Sequence, residues 1–534
     1  MTSGVEKGYF SLVLHAHLPF VRHPEYEEFL EERWFFEALS ETYIPILEMF
    51  EGLVRDGVDF AITMNISPSL CNMLADEVLR ERYVRYLNKM VELCEKEIDR
   101  NRFNPDFYKV ALMYYHRFTR MRDKFLNAYG RDVIREFKKY QDLGPLEIIT
   151  CGATHGFLPL LGVNSKEAVR AQVKVGVDSY RKFFGCDPRG IWLPECAYFE
   201  DLDKVLKDEG IKYFLLETHG ILFARPRPKF GVYSGYYTKN KVAVFGRDNE
   251  SSKSVWSSVE GYPGDYYYRE YYRDVGYDLD YDYIRPYISN CGTRIFTGIK
   301  YYRITGQTTH KEPYSPEAAT EKAAEHAGNF LFNREKQVEY LSSMLGRKPI
   351  ILSPYDAELY GHWWFEGVQW IDFLTRKMCF DQSTVKMTTP SRYLKLYPRN
   401  QVINPSPSSW GWKGYYEVWL NGTNDWIYPH IHRAQEKMVE AVKKYGGQST
   451  VKDRILNQMS RELLLAQSSD WAFMMKTGAF SEYAAKRTVV HLERLHLLRS
   501  YLDRGFYNFE VIEDIERKDN IFPEVNYSVY QSMP

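Results

Sequence analysis

Seven short apolar runs, each closed by polar or ionisable side chains, set the strongest limit on what this chain can fold into. Residues 9–14 end at His15 and His17, 60–64 at Asn65, and 146–150, after Cys151-Gly152-Ala153-Thr154, at His155. Residues 191–193 end at Glu195, 213–216 at Glu217 and His219, 242–245 at Arg247, and 350–352 at Asp356. Helical periodicity separates most of them, as in 166–184 and 202–209. Strand-length apolar runs alternating with helices predict an α/β fold with a parallel barrel or open sheet. In a barrel the seven endings would meet at one C-terminal rim, where such folds keep their active sites.

Two of these endings share a pattern. Ile191-Trp192-Leu193 is stopped by Pro194 and followed by Glu195, and Ile350-Ile351-Leu352-Ser353 leads through Pro354 to Asp356. A carboxyl group flanked by apolar and aromatic residues has its ionisation set by placement. A pair of strand-end acids is the minimum equipment for glycoside chemistry. Taken singly, each is as compatible with a solvated loop residue or a helix cap.

Composition narrows the classes. The 534 residues suffice for two to four domains, and 44% hydrophobic content supports a large core. A net charge of −1 offers no basic face for nucleic acid or anionic lipid. No segment reaches the roughly 18 apolar residues of a membrane span, and 9–14 lacks a cleavage-site pattern. Seven scattered cysteines without a Cys-x-x-Cys pair fit reduced thiols in a cytoplasmic protein. The 16% aromatic content, with 43 Tyr and 11 Trp, suits stacking on sugars as well as ordinary packing.

Residues 79–144, dense in charge and helical in period, read as an insertion on the barrel. Residues 261–287 are rich in tyrosine and punctuated by Gly and Pro, as expected of a long functional loop or a structural tyrosine cluster. Near residue 400 the composition shifts, giving a catalytic domain over 1–400 and an α-helical domain over 401–534. The latter carries helices over 431–445, 451–475 and 482–502; the last is expected to have Ser481 as N-cap, Val489, Leu492, Leu495, Leu498 and Leu502 on one face, and Gly505 beyond its end.

His15 and His17, one residue apart on a strand, project to the same face. They could ligate a metal with His155 or Asp356 completing the set, as in a metal-dependent polysaccharide deacetylase. They could instead hydrogen-bond sugar hydroxyls beside the acids, or be satisfied core histidines. A non-enzymatic glycan-binding module is the remaining class.

Four segments, His15-Ala16-His17-Leu18-Pro19, Gly152-Ala153-Thr154-His155-Gly156, Trp192-Leu193-Pro194-Glu195-Cys196-Ala197-Tyr198 and Ser353 through Trp363, resemble successive motifs of glycoside hydrolase family 57. Ser408-Ser409-Trp410-Gly411 and Ser468-Ser469-Asp470-Trp471 resemble its branching-enzyme subgroup. The resemblance implies an incomplete (β/α)7 barrel with a C-terminal helical domain, a retaining mechanism on α-1,4-glucans, and neither metal nor other cofactor. It implies Glu195 as nucleophile and Asp356 as general acid/base, with His15, His17, His155, Arg247, Trp256, Gly264, Trp410, Trp419 and Asp470 around the glucan. In that subgroup a long loop with a tyrosine at its tip covers the site after the strand at 213–216. Here 217–242 is shorter, and Tyr233, Tyr236 and Tyr237 are its candidate remnants. A shortened cover admits water and raises the hydrolytic share, so the expected activity is that of a branching enzyme forming α-1,6 links, with α-amylase-like hydrolysis as the alternative.

Overall fold

The computed structural model describes residues 6–257, 261–288 and 292–532. Its centre is β1, Gly8–Ala16, buried along its whole length. A strand covered on both faces can be continuously apolar, as this one nearly is. β2 (Ile62–Ile66), β3 (Leu146–Cys151), β4 (Gly190–Trp192) and β5 (Tyr213–Leu216) extend the sheet from one side of β1 in parallel steps. β6 (Tyr236–Tyr237) and β7 (Ala243–Gly246) follow, with β7 parallel to β5 and β6 antiparallel to β7. β8 (Ile350–Asp356) lies on the other side of β1, and β9 (Val385–Met387) pairs with the start of β1.

All seven sequence runs are therefore strands of one curled sheet, in the order β6-β7-β5-β4-β3-β2-β1-β8. Among the described residues β7 and β8 form no ladder, so the barrel stays incomplete. Asp248 N–H donates to Leu352 O at 2.9 Å, and the Tyr355 hydroxyl to Ser251 O at 2.8 Å, across that seam. β6 and β9 were not foreseen, being two and three residues long and too short to leave a pattern.

Pro354 does not stop its strand as expected, for β8 continues through it to Asp356. Leu352 O faces the seam, and Pro354, two residues on, directs its missing donor the same way, where no ladder needs it. Pro194, by contrast, opens a tight turn at once, Pro194–Cys196.

The insertion is helical, with Glu77–Asn101 capped by Asp76, Pro105–Asp123 capped by Asn104, and Val133–Leu143 closed by left-handed Gly144. The C-terminal region holds helices Ile427–Tyr445, Thr450–Ala466, Ser469–Thr477 and Ser481–Arg504. The continuous helix expected over 451–475 is broken at Gln467 and Ser468. Ser481 is not an N-cap: Phe480 takes that place in a left-handed conformation, and no side chain caps the helix. Leu492, Leu495, Leu498 and Leu502 are buried as expected, but Val489 is exposed because the buried seam runs through Ala484, Thr488 and His491, one residue ahead of the projected stripe in its first turns. Gly505 ends the helix in the left-handed region.

Candidate active site

Register brings the first chemistry together. His15 on β1 lies level with Asn65 on β2 and Asp356 on β8. Its ring stacks on Trp192 at 4.4 Å and is buried. His17 follows at the strand end, where its Nδ1 meets Ser67 Oγ at 2.8 Å and its Nε2 meets Asp470 Oδ2 at 3.0 Å. Burial opposes charge on His17, yet the Asp470 carboxylate outweighs it and raises the imidazole above its ordinary value.

Glu195 sits in the turn after β4 with φ 62° and ψ 21°, and Cys196 follows at φ 49°. Left-handed backbone at non-glycine residues costs about 1–3 kcal/mol each, so the surrounding structure must hold it. Trp410 does so twice: its backbone N–H donates to Glu195 O at 3.0 Å and its Nε1–H to Glu195 Oε2 at 2.7 Å. The Ser469 hydroxyl meets the other carboxylate oxygen at 2.8 Å. Burial nevertheless pushes Glu195 up to about 7, against the Trp410 and Ser469 hydrogen bonds that favour its charge.

These contacts form a chain. Asn65 Nδ2 donates to Ile149 O at 3.0 Å, leaving Oδ1 to accept from His15 Nδ1–H at 2.6 Å. His15 Nε2 meets His155 Nε2 at 3.1 Å, and His155 Nδ1 meets Ser469 Oγ at 2.8 Å. With both imidazoles neutral, each must pass one proton along, and every bond is made only if Glu195 carries the proton it offers Ser469. With Glu195 ionised, the same chain is satisfied when His155 holds that proton. Burial, then the charge of His17, depresses both His15 and His155 well below the usual imidazole range, so the proton favours Glu195.

Asp356 closes β8 and faces no such donors. Burial raises it well above the ordinary carboxylate range, reinforced by the charges of Glu358 and Glu195 and opposed by Arg247. Arg247 itself pairs with Glu217 at 3.0 Å and donates to Ser252 Oγ at 2.7 Å. Glu358 accepts from the Tyr43 hydroxyl and from His17 N–H.

Both acids open into one cavity of about 780 Å3, with His15, His17, His155, Arg247, Trp256, Trp410, Trp419 and Asp470 also on its wall. Trp419 is a buried wall, stacked on Phe157 at 4.6 Å. Gly264 is not brought there: it is the exposed end of a turn, Tyr262–Gly264, anchored by Tyr262, whose hydroxyl donates to Asn329 Oδ1 at 2.7 Å and whose ring packs on the core. Tyr233, Tyr236 and Tyr237 do not reach it either. Tyr236 is tied into β6 with its hydroxyl donating to Gly231 O, and Tyr233 packs between core clusters. Sequence reasoning passed over Ser469, Glu358, Trp363, Trp412 and Phe473. Ser469 and Glu358 lie inside motifs that it quoted. The helix break at Gln467–Ser468 is what delivers Ser469 and Asp470, docked by Ser469 N–H on His155 O at 3.0 Å.

His17, His155 and Asp470 present ligand atoms within 4.8 Å of one another, a geometry that could hold a cation. Each ring nitrogen of His15, His17 and His155 already has a hydrogen-bond partner, however, and the rings of His17 and His155 lie stacked at 4.0 Å. The residues fit a hydrogen-bonded array better than a cation site, whose ligands must turn lone pairs to a common centre.

Residues 11–406 match the model of glycosyl hydrolase family 57. The chain belongs to that family. Residues 430–530 match a second model, the C-terminal region of 1,4-alpha-glucan branching enzymes. Among family 57 relatives, a 1,4-alpha-glucan branching enzyme of Thermococcus kodakarensis is 35% identical, covering 98% of this chain and 79% of its own. The crystal structure of the branching enzyme from that archaeon superimposes with a TM-score of 0.88 at 34% identity, covering 99% and 97% of the two chains. An alpha-amylase of Thermotoga maritima superimposes with a TM-score of 0.92 at 43% identity, covering 99% of both. Among the described residues, no helix is long and apolar enough to cross a membrane.

Proposed function

We propose that this family 57 enzyme is a retaining 1,4-α-glucan branching enzyme, in which Glu195 is the nucleophile and Asp356 the general acid and base. The observation that carries the reading is the contrast between the two carboxyl groups. Glu195 is hydrogen-bonded at each oxygen, to Trp410 and to Ser469, whereas Asp356 is buried beside negative charge, which holds its proton more tightly than an ordinary carboxyl group does. Environments that push two acids apart assign their roles.

Asp356 donates its proton to the glycosidic oxygen while Glu195 attacks the anomeric carbon, giving a covalent glucosyl-enzyme. Attack requires the ionised form of Glu195, in which the Trp410 indole and the Ser469 hydroxyl each donate to one carboxylate oxygen. Asp356 then removes the proton of the incoming acceptor. A glucan 6-hydroxyl at that step yields an α-1,6 branch, and water yields hydrolysis. The substrate class is α-1,4-glucan, and the aromatic walls Trp256, Trp410 and Trp419 suit its sugar faces.

A second reading, α-amylase-like hydrolysis, has its own support: residues 217–242 place no tyrosine over the cavity, and water is excluded less completely. Incubation with amylose, followed by debranching and chain-length profiling with reducing ends counted in parallel, separates the two. New α-1,6 points without matching reducing ends are expected. Abundant reducing ends and no branches would make it an amylase.

A further inference from the structure

The tyrosine-rich stretch has two sides. Tyr268 and Tyr287 are buried, whereas Tyr266 is 60% and Tyr267 51% exposed. Both exposed residues line a shallow groove of about 570 Å3, with Arg303, Thr305, Thr308 and His310 among its other walls. None of these six borders the cavity that holds Glu195 and Asp356.

The groove is close to neutral. Arg303 pairs with Glu312, and its Nη1 donates to Tyr266 O at 3.0 Å. What remains available is the ring surface of Tyr266 and Tyr267, whose hydroxyls bond no other described residue, beside Lys322, whose Nζ lies 5.1 Å from the Tyr267 ring centre. An anionic chain would want uncompensated cations here. An apolar partner would cover the tyrosine hydroxyls without pairing them. A neutral polyhydroxylated ligand meets both requirements.

The groove also connects to the catalytic side. Tyr268, Arg269 and Glu270 run beside Tyr302, Arg303 and Ile304, held by Ile304 N–H to Tyr268 O and Glu270 N–H to Tyr302 O, both at 2.8 Å. Beyond them the ring of Tyr271 stacks on Trp363 at 4.6 Å, and Trp363 lines the catalytic cavity. Three residues separate Tyr267 from Tyr271, a path of at most about 14 Å.

We propose that this groove is a second α-glucan-binding site, separate from the catalytic cavity, with Tyr266 and Tyr267 as its stacking faces. The proposal rests on the reading of the enzyme as acting on α-glucans. A polymer held there presents its other segments to the cavity at high effective concentration, which a short oligosaccharide cannot exploit.

Electrophoresis through gels containing glycogen reads binding without turnover. The double variant Tyr266→Ala/Tyr267→Ala is expected to lose retention by roughly tenfold, given the worth of two aromatic contacts. Its kcat/KM on a maltooligosaccharide that fills only the catalytic cavity should match the parent. Tyr266→Phe/Tyr267→Phe keeps the rings and should keep the retention. Parent-like migration of the alanine variant would overturn the proposal. Equal losses on short and long substrates would do the same, since the defect would then lie in the cavity or the fold. Failure of the parent to act on amylose would instead sink the functional reading.

Discussion

Trp410→Phe isolates what one hydrogen bond does for the nucleophile. The substitution keeps an aromatic ring between Trp192 and Trp256, which Trp410 meets edge-on at 5.0 and 6.4 Å, and removes the donor to Glu195 Oε2 together with part of the ring volume. A hydrogen bond to a charged group contributes about 1.5–3 kcal/mol, and about 1.4 kcal/mol corresponds to one pH unit. Losing this donor favours the neutral acid, so the acid limb of kcat/KM, set by Glu195 at about 7, moves upward by roughly one to two pH units. At pH 7 about half the parent's carboxylates are ionised, and the variant's rate should be roughly five- to fifty-fold lower. The basic limb belongs to Asp356, whose proton burial holds above the ordinary carboxylate range, so the variant's profile should be narrowed from the acid side alone. Initial rates of maltooligosaccharide cleavage between pH 5 and 10 give the profile. A uniform fall across that range, with the acid limb unmoved, would refute the reasoning and leave Trp410 as a packing wall.

Two further outcomes test the same electrostatics. Glu195 is raised from 4.5 to about 7 in the folded protein, so its protonation stabilises the fold fully below pH 4.5 and that contribution disappears as pH rises through 7. Glu195→Gln, able to accept from Trp410 and donate to Ser469, should therefore be more stable than the parent at pH 8 by up to about 3 kcal/mol, with no such gain at pH 4; equal differences in urea midpoint at both pH values would contradict this. Prolonged dialysis against EDTA should leave glucan cleavage unchanged, because the imidazoles serve as hydrogen-bonding groups; activity lost on chelation and restored by added zinc would favour the cation reading of His17, His155 and Asp470.

The strand endings were legible because the physics that makes them is local. A buried parallel strand must be apolar for its length, and it must end where the chain meets solvent or chemistry. His15, Asn65, Glu195 and Asp356 therefore announced themselves by position. Ser469 could not do so as part of a periodic pattern. Its contact with Glu195 spans 274 residues and depends on a helix break at Gln467–Ser468, where the apolar periodicity continues. Gly264 failed for the opposite reason: its motif context is local, while its placement depends on how the tyrosines around it divide between core and surface.

The left-handed backbone of Glu195 binds these observations into one argument. A turn that costs free energy persists only if contacts elsewhere fix it. Two of those contacts, from the Trp410 amide and indole, come from the segment after the barrel strands, and a third comes from Ser469 in the C-terminal helices. The proposed nucleophile is thus strand-positioned but completed from outside the sheet. The indole and the Ser469 hydroxyl also stabilise the ionised carboxylate that attack requires, so two of the three groups that hold the strained turn in place also set its reactivity. In this enzyme the C-terminal helices act on the carboxylate itself, through Ser469 on Glu195 and Asp470 on His17.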